Sequence, residues 1–403
     1  MGNALQFYDF FLYATAAALV FDSQFFPSSN PIVGTMGAFA GYAVGFVSRP
    51  LGGVVFGHIG DRFGRKVTLT WTLGLMGLAT FAIGLLPTYS QVGMLAPALL
   101  ILLRLIQGFA TGGEWGGGML MATENAPHGR RGLYGAWSQA GAGIGFILSS
   151  SAFFAARQLG GTAFLDWGWR IPFLASLIVV AAGFVIRMRV GESAEFLEAE
   201  RTDPHAAPIR DVLRTQRFPL FCAAGVLLAE MSGPLLTTTF ALAYGTIVGA
   251  SSDLLLAGVT ISMVVDTVMM LFFGHLSDRF GRTKVYGFGI VAIALAMQPF
   301  FLLLKSPSDV MVIGAFVVIN GICHAAMIGT QPALLTELFP ASLRSSGLAL
   351  AQSIAAVLVG FVPLVATSLY YATGSVTSVT ALMVVLSLIS FVSLHAARRV
   401  TGE

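Results

Sequence analysis

Gly57-His58-Ile59-Gly60-Asp61-Arg62-Phe63-Gly64-Arg65-Lys66 returns 217 positions later as Gly274-His275-Leu276-Ser277-Asp278-Arg279-Phe280-Gly281-Arg282-Thr283-Lys284. Each copy reads as a short, polar, Gly-rich and basic loop between two long apolar runs, one copy per half. The recurrence makes the chain two copies of one membrane unit. A second echo agrees. Thr123-Glu124-Asn125-Ala126-Pro127, with Arg131 and Gly132 close behind, is matched by Thr336-Glu337-Leu338-Phe339-Pro340, with Arg344 and Gly347 behind it.

Composition supports a membrane chain. Charged residues make up 10% and apolar ones 56% of 403 residues, whereas soluble domains carry about 25% charged residues. The mean hydropathy is +0.81. A net charge of +3 is too small to point to nucleic acid, and no basic patch has aromatics interleaved. Cys222 and Cys323 both lie in apolar runs and read as structural, neither disulfide nor metal ligand. No cleavable signal peptide is visible. The first run is too long and lacks a basic leader, and it begins almost at Met1, so either the N-terminus is native or a cytoplasmic leader is missing.

A helix needs about 20 apolar residues to cross a bilayer. Twelve such runs are expected, at roughly 5–26, 33–57, 67–87, 95–123, 132–156, 170–190, 218–246, 254–274, 285–304, 310–336, 347–370 and 377–397. The expected architecture is all-α and integral to the membrane. Residues 1–190 form one six-helix bundle, 191–217 a cytoplasmic linker and 218–403 a second bundle. An even count of spans per half makes the repeats parallel, related by a pseudo-two-fold along the membrane normal. The linker contains Glu192-Ser193-Ala194-Glu195-Phe196-Leu197-Glu198-Ala199-Glu200, which reads as a short surface helix. With both repeated loops on one side, that side collects seventeen basic residues against three on the other. The positive-inside rule then puts both termini and the linker in the cytoplasm.

Charges inside a span are costly and ask for a reason. Asp9 shares a helix face with Gln6 and Tyr13. It reads as a proton site or substrate contact, or as a cap near the cytoplasmic end. Arg49 stands about 12 Å above the first repeated loop, near the midplane. It must find an anion, either a substrate carboxylate or an internal partner such as Asp9 or Glu114. The matching position in the second half is Asp266, so the two halves offer opposite charges at one depth. In the fourth run, Arg104, Gln107, Thr111 and Glu114 form a polar stripe about 15 Å long, read as a water-lined path. Its glycines let neighbouring helices come close. Glu114 can take and release a proton, and Arg104 can bias it or hold an anion. In the tenth run Asn320, His324 and Gln331 share a face, and His324 can titrate near neutral pH. Glu230 precedes Ser232-Gly233-Pro234 in the seventh.

The repeated loops read as a cytoplasmic gate. Gly57 allows close approach. Asp61 and Asp278 can cap a helix N-terminus or meet an arginine, and Arg65 and Arg282 hold the cytoplasmic side. Glu124 with Arg131, and Glu337 with Arg344, are candidate latches. No phosphate-binding loop, zinc spacing or nucleophile elbow is present, so neither a cofactor nor an enzyme is expected.

The repeated loops resemble the signature loop of the major facilitator superfamily. Arg104-x-x-Gln107-Gly108-x-x-x-Gly112 resembles its span-four motif, whose arginine is linked to proton coupling. More narrowly, Tyr8-Asp9-Phe10-Phe11-Leu12-Tyr13, Ser48-Arg49-Pro50-Leu51-Gly52-Gly53, Gln107 to Gly117, Trp167-Gly168-Trp169-Arg170-Ile171-Pro172-Phe173 and Glu192 to Phe196 are similar to the metabolite:proton symporters. Members carry shikimate, 2-oxoglutarate, citrate, or proline and betaines. Two positions before the Tyr-Asp pair that family is usually acidic. Here Gln6 stands, followed by Phe7, which passes the proton role to Asp9 or Glu114. The Gly-Pro motif of related antiporters is absent from the fifth run, which favours symport.

The resemblance implies a proton-coupled importer of a small organic acid, such as shikimate, working by alternating access in a bacterial inner membrane. Arg49 would bind the anionic group, with Tyr13, Gln107, Trp137, Gln139, Glu230 and His324 shaping the site. Asp9, Arg104 and Glu114 would carry the proton linkage. The expected partners are the small acid, protons and the lipid bilayer, with no nucleic acid and a monomeric chain. A zwitterionic osmolyte is the rival substrate, since Glu230 and Asp266 suit an ammonium group. A non-transporting sensor on the same scaffold is the rival outside transport.

Overall fold

In lipid, every backbone amide must find its partner within the protein, and a helix does this inside one segment. The computed structural model describes residues 2–27, 41, 44–45, 47–63, 65–124, 126–127, 129–189, 208–340 and 343–401. Among these residues the long elements are all helices. They are α1 (2–24), α2 (Arg49–Phe63), α3 (Arg65–Leu85), α4 (Leu95–Glu124), α5 (Arg131–Gly160) and α6 (Arg170–Arg189). Then follow α7 (Arg217–Ile247), α8 (Ser252–Phe280), α9 (Arg282–Leu303), α10 (Asp309–Thr336), α11 (Arg344–Thr373) and α12 (Thr377–Thr401). Ten of the described helices are long and apolar enough to cross a bilayer. The expected run 33–57 lies partly, and the acidic linker segment 192–200 wholly, outside the described residues. The linker's described part holds a short helix, Pro208–Thr215.

The repeated stretch is not the loop the sequence suggests. α2 runs through it to Phe63 and α8 through it to Phe280, and the next helix begins at Arg65 or Arg282. In the second copy the turn is Gly281 alone. Its φ is +93°, which favours glycine, and its N–H donates to the Ser277 carbonyl at 3.1 Å. One residue thus closes one helix and opens another, so the polar motif is read off helix ends.

The chain forms two compact units. One comprises Met1–Gly118 with Ile144–Ile209, the other Met119–Gly143 with Arg210–Glu403. In the first, α2 and α4 cross at backbone distance. A Cβ on Gly112 would run into the Arg49 carbonyl and the Gly53 amide. In the second, a Cβ on Gly329 would run into the Met270 carbonyl. Gly112 and Gly329 are 217 positions apart, so the repeat seen in sequence is also a repeat of helix crossings. Small residues serve here because van der Waals packing, not hydrophobic burial, joins helices in lipid. A second structural echo is a π-helical turn at Ala17–Phe21 in α1 and at Leu236–Phe240 in α7.

Exposure is arranged as lipid demands. On α8, Leu256, Ile261, Val264, Val268 and Phe272 are exposed, whereas Gly258, Ser262 and Asp266 are buried. In the first unit an aromatic cluster of Phe21, Phe25, Trp169 and Phe173 is fully buried. Arg170 beside it donates to the carbonyls of Gly84 (2.9 Å) and Leu86 (2.5 Å) at the end of α3. A cation there offsets the helix's negative end.

Gly112→Ala forces the α2–α4 crossing apart. The expected cost is about 1–3 kcal/mol, the usual range for overpacking, read as a lower melting temperature in detergent. Gly74, where an added Cβ meets nothing within 4 Å, is the control. Gly74→Ala should match or exceed the parent's stability.

Candidate functional site

Spacings of three and four put Arg104, Gln107 and Thr111 on one face of α4, and all three are buried. Arg104 Nη1 donates to Gln107 Oε1 at 3.0 Å, and Gln107 Nε2 donates to Thr80 Oγ1 of α3 at 2.6 Å. Thr111 Oγ1 donates to the Gln107 carbonyl at 2.8 Å. The Arg104 guanidinium lies 3.8 Å from the centroid of the Tyr13 ring, a cation–π contact from α1. On its other side, a Cβ on Gly45 would be 3.3 Å from it. The stripe expected to line a wet path is therefore packed between α1, α3 and the backbone of the second span. The close approach of small residues accounts for this.

Asp9 is buried on α1, and Tyr8 beside it donates to the Pro172 carbonyl at 2.8 Å. Arg49, at the start of α2, is half-buried. The side chains of Gln6, Asp61, Arg65 and Glu114 lie outside the described residues.

The second unit holds a denser constellation. His324 of α10 stands between two carboxylates. Its Nδ1 lies 3.0 Å from Asp266 Oδ1 of α8 and its Nε2 3.3 Å from Glu230 Oε1 of α7. Gln331 Nε2 donates to Glu230 Oε2 at 2.7 Å, and Gln139 Nε2 of α5 donates to Gln331 Oε1 at 3.0 Å. One turn along α10, Asn320 Nδ2 donates to Ser262 Oγ of α8 at 2.9 Å, and Thr237 of α7 donates to Asn320 Oδ1 at 3.1 Å. The row Gln139–Gln331–Glu230–His324–Asp266 thus ties four helices by one hydrogen-bonded chain, the Asn320 trio adds a second link, and all these residues are buried.

Local irregularities position these groups. Residues 317–324 of α10 are π-helical, a widened turn that ends at His324. In α7, Ser390 of α12 accepts from the Ala229 N–H at 2.9 Å and donates to the Gly225 carbonyl at 2.8 Å. A hydroxyl thereby enters the backbone of α7 one residue before Glu230, a recognised cause of helix bending.

Of the expected binding residues, Gln139, Glu230 and His324 come together. Trp137 does not join them. It is two residues, about 200°, round α5 from Gln139 and is 61% exposed.

At the helix ends, the Asp278 carboxylate accepts from the N–H groups of Gly132 (2.8 Å) and Leu133 (3.1 Å). An anion is stabilised there because α5 begins at Arg131. Glu337 pairs with Arg282, and Glu124 with Arg344 at 3.5 Å. Arg131 is exposed, and Gly57 is buried.

Sequence reading had each member of the His324 chain singly but missed the join. It also missed Thr237, Ser262, Thr80 and Ser390. One signal was present. Ser262 and Asp266 are four apart on α8, as Asn320 and His324 are on α10, and each pair meets across the same separation of 58 positions.

The family model of the Major Facilitator Superfamily matches residues 1–265 and 223–401. The chain is similar to the shikimate transporter of Escherichia coli (strain K12), 39% identical over 377 residues, 91% of this chain and 85% of the relative. It is also similar to a putative proline/betaine transporter of Staphylococcus aureus (strain MSSA476), 33% identical over 402 residues, 97% and 85% of the two chains. Among solved structures, the proton:xylose symporter XylE bound to 6-bromo-6-deoxy-D-glucose superposes with a TM-score of 0.78. That match has 16% identity over 99% of this chain and 94% of the other. The fold is that of the major facilitator transporters.

Gln331 bridges Gln139 and Glu230, so Gln331→Leu strips a donor from a buried carboxylate. The expected loss is about 1–3 kcal/mol, measured by thermal unfolding in detergent.

Proposed function

Because the chain belongs to the major facilitator superfamily, we propose that this multi-pass membrane transporter is a proton-coupled symporter importing a small organic acid. Shikimate or a related carboxylate is the substrate class. The observation that carries the reading is the set of ionisable side chains buried within the spans, Asp9 and Arg104 in one unit and Glu230, Asp266 and His324 in the other. Lipid makes such groups costly, and they are kept where an ion or proton is handled. The likeness to the shikimate transporter over 91% of the chain supports the substrate class.

Arg49 takes the carboxylate, with Tyr13, Gln107, Gln139, Glu230 and His324 fixing the rest of the substrate. Asp9, Arg104 and Glu114 carry the proton linkage. Asp278 on the α5 N-terminus, with the Arg282–Glu337 and Arg344–Glu124 pairs, forms the cytoplasmic latch that opens and closes during alternating access. Asp61, Arg65, Gly57 and Arg131 belong to the same gate. The two six-helix repeats, 1–190 and 218–403, are the moving bodies. The chain works as a monomer in a bacterial inner membrane, with both termini in the cytoplasm.

A second reading has one observation in its favour. Two carboxylates beside His324 suit a zwitterion's ammonium group, and a putative proline/betaine transporter is among the relatives.

Proteoliposomes decide between them. Labelled shikimate should enter only under an inward proton gradient, and a protonophore should stop it. Unlabelled 2-oxoglutarate and citrate should compete more strongly than proline betaine. Uptake that survives collapse of the gradient removes symport, and stronger competition by betaine replaces the carboxylate with an osmolyte. Arg49→Gln should raise the half-saturating concentration at least tenfold, equivalent to about 1.4 kcal/mol of lost binding.

A further inference from the structure

The carboxylate–imidazole–carboxylate row in the second unit has a proton chemistry of its own, apart from the linkage given above to Asp9, Arg104 and Glu114. Each of its members sits well inside a span. Asp266 is at the midpoint of the 29-residue α8, and Glu230 and His324 lie near the middle of α7 and α10. At 1.5 Å per residue, Asp266 is about 20 Å from either end of its helix.

The hydrogen-bond geometry counts the protons. Each of the two nitrogen–oxygen contacts of His324 needs one proton between its atoms. If both carboxylates are ionised, the ring carries both protons and is a cation. If the ring is neutral, one carboxyl carries the second. In either arrangement two protons are held and the net charge of the three groups is −1. A third proton would make the row neutral.

The structure also shows where the third would go. Both oxygens of Glu230 are engaged, Oε1 by His324 and Oε2 by Gln331. Asp266 meets His324 through Oδ1. Among the described residues its Oδ2 has no hydrogen-bond partner, although the residue is only 4% exposed. The other titratable groups nearby are Tyr286 of α9, which donates to the Val226 carbonyl at 3.1 Å, and the buried Cys323 of α10. Neither supplies a positive charge. The row is therefore a buried anion with a vacant acceptor, in a place where a net charge is expensive.

We propose that Asp266, His324 and Glu230 form a proton-binding site in the second half of the transporter, which takes one proton on the Asp266 side and cycles between net charge −1 and zero. This proton is additional to any handled by Asp9. The step balances: the proton adds to an Asp266 oxygen, the row becomes neutral, and release of the same proton restores the anion. Gln331, on the same half, keeps Glu230 engaged. Only the transport arm of the test below rests on the symport reading.

Infrared difference spectroscopy of the purified full chain in lipid nanodiscs, stepped between acid and alkaline pH, reads buried carboxyl groups directly. The parent should show a protonated-carboxyl band that appears at low pH. Asp266→Asn should remove it, and Asp9→Asn should leave an Asp266 band in place. If Asp266→Asn does not fold, His324→Gln serves instead. It breaks the row and should shift the band's titration by at least one pH unit. A band unaltered in both variants overturns the proposal, as does a parent in which no buried carboxyl titrates. In proteoliposomes with an inward proton gradient, Asp266→Asn should accumulate labelled shikimate at least tenfold less than the parent, and equal accumulation overturns the coupling role. If the parent carries no shikimate at all, the substrate reading falls, while the infrared result still decides the proton site.

Discussion

A charge in the middle of a bilayer is tolerated only if it is met, and this requirement organises both units. Arg104 is met by the face of Tyr13 and by Gln107, which in turn reaches Thr80. His324 is met on both ring nitrogens by carboxylates. All but the Arg104–Gln107 bond join different helices, so the same pairs that offset desolvation also hold the bundle in register. Removing one partner would leave a buried charge alone, which costs more than the pair contributes. Hydrogen bonds between helices in lipid are individually modest, about 0.6 kcal/mol on average. The strength of the second unit's network lies in its continuity across α5, α7, α8 and α10.

Such contacts require backbones close enough for short side chains to reach. Glycine provides this at Gly112 and Gly329, where no Cβ would fit against the facing carbonyl. Close crossing has a second effect. It excludes water from the Arg104 stripe, so the guanidinium is held by an aromatic face and an amide, not by solvent. The irregular turns are a separate device. The π segment that ends at His324, the hydroxyl of Ser390 at the backbone of α7 and the π turn at Leu236–Phe240 interrupt regular helical hydrogen bonding on helices that carry ionisable groups. α10 carries both a close crossing, at Gly329, and such a segment.

Much of this was legible in the sequence. Spans are written in hydropathy because lipid forbids other backbone solutions, and the duplication is written in the repeated motif. Gly108 and Gly112 were rightly read as permitting close approach. What could not be read was pairing. His324, Asp266 and Glu230 come from three helices and are joined only by packing, and a π turn before His324 alters which residues share its face. The repeated motif was misread as a loop, because polar and glycine-rich character marks a turn in water, whereas here it marks helix ends. Trp137, expected with Gln139 in the site, is exposed while Gln139 is buried, because a helix turns residues two apart to opposite sides.

The two halves keep one scaffold and part company in chemistry. The crossing glycines repeat at a spacing of 217 positions, and so do Arg49 and Asp266. The first pair is the same residue twice, the second pair is opposite in charge. Packing positions are constrained by shape, which both copies share, so they stay alike. Charged positions are constrained by what they must meet, and two identical charges in one transporter would bind the same ion twice. On the proposed reading, exchanging arginine for aspartate lets one copy favour an anion and the other a proton or cation. A carrier of an acid together with a proton would need both, and a duplicated bundle offers the two positions without a new fold.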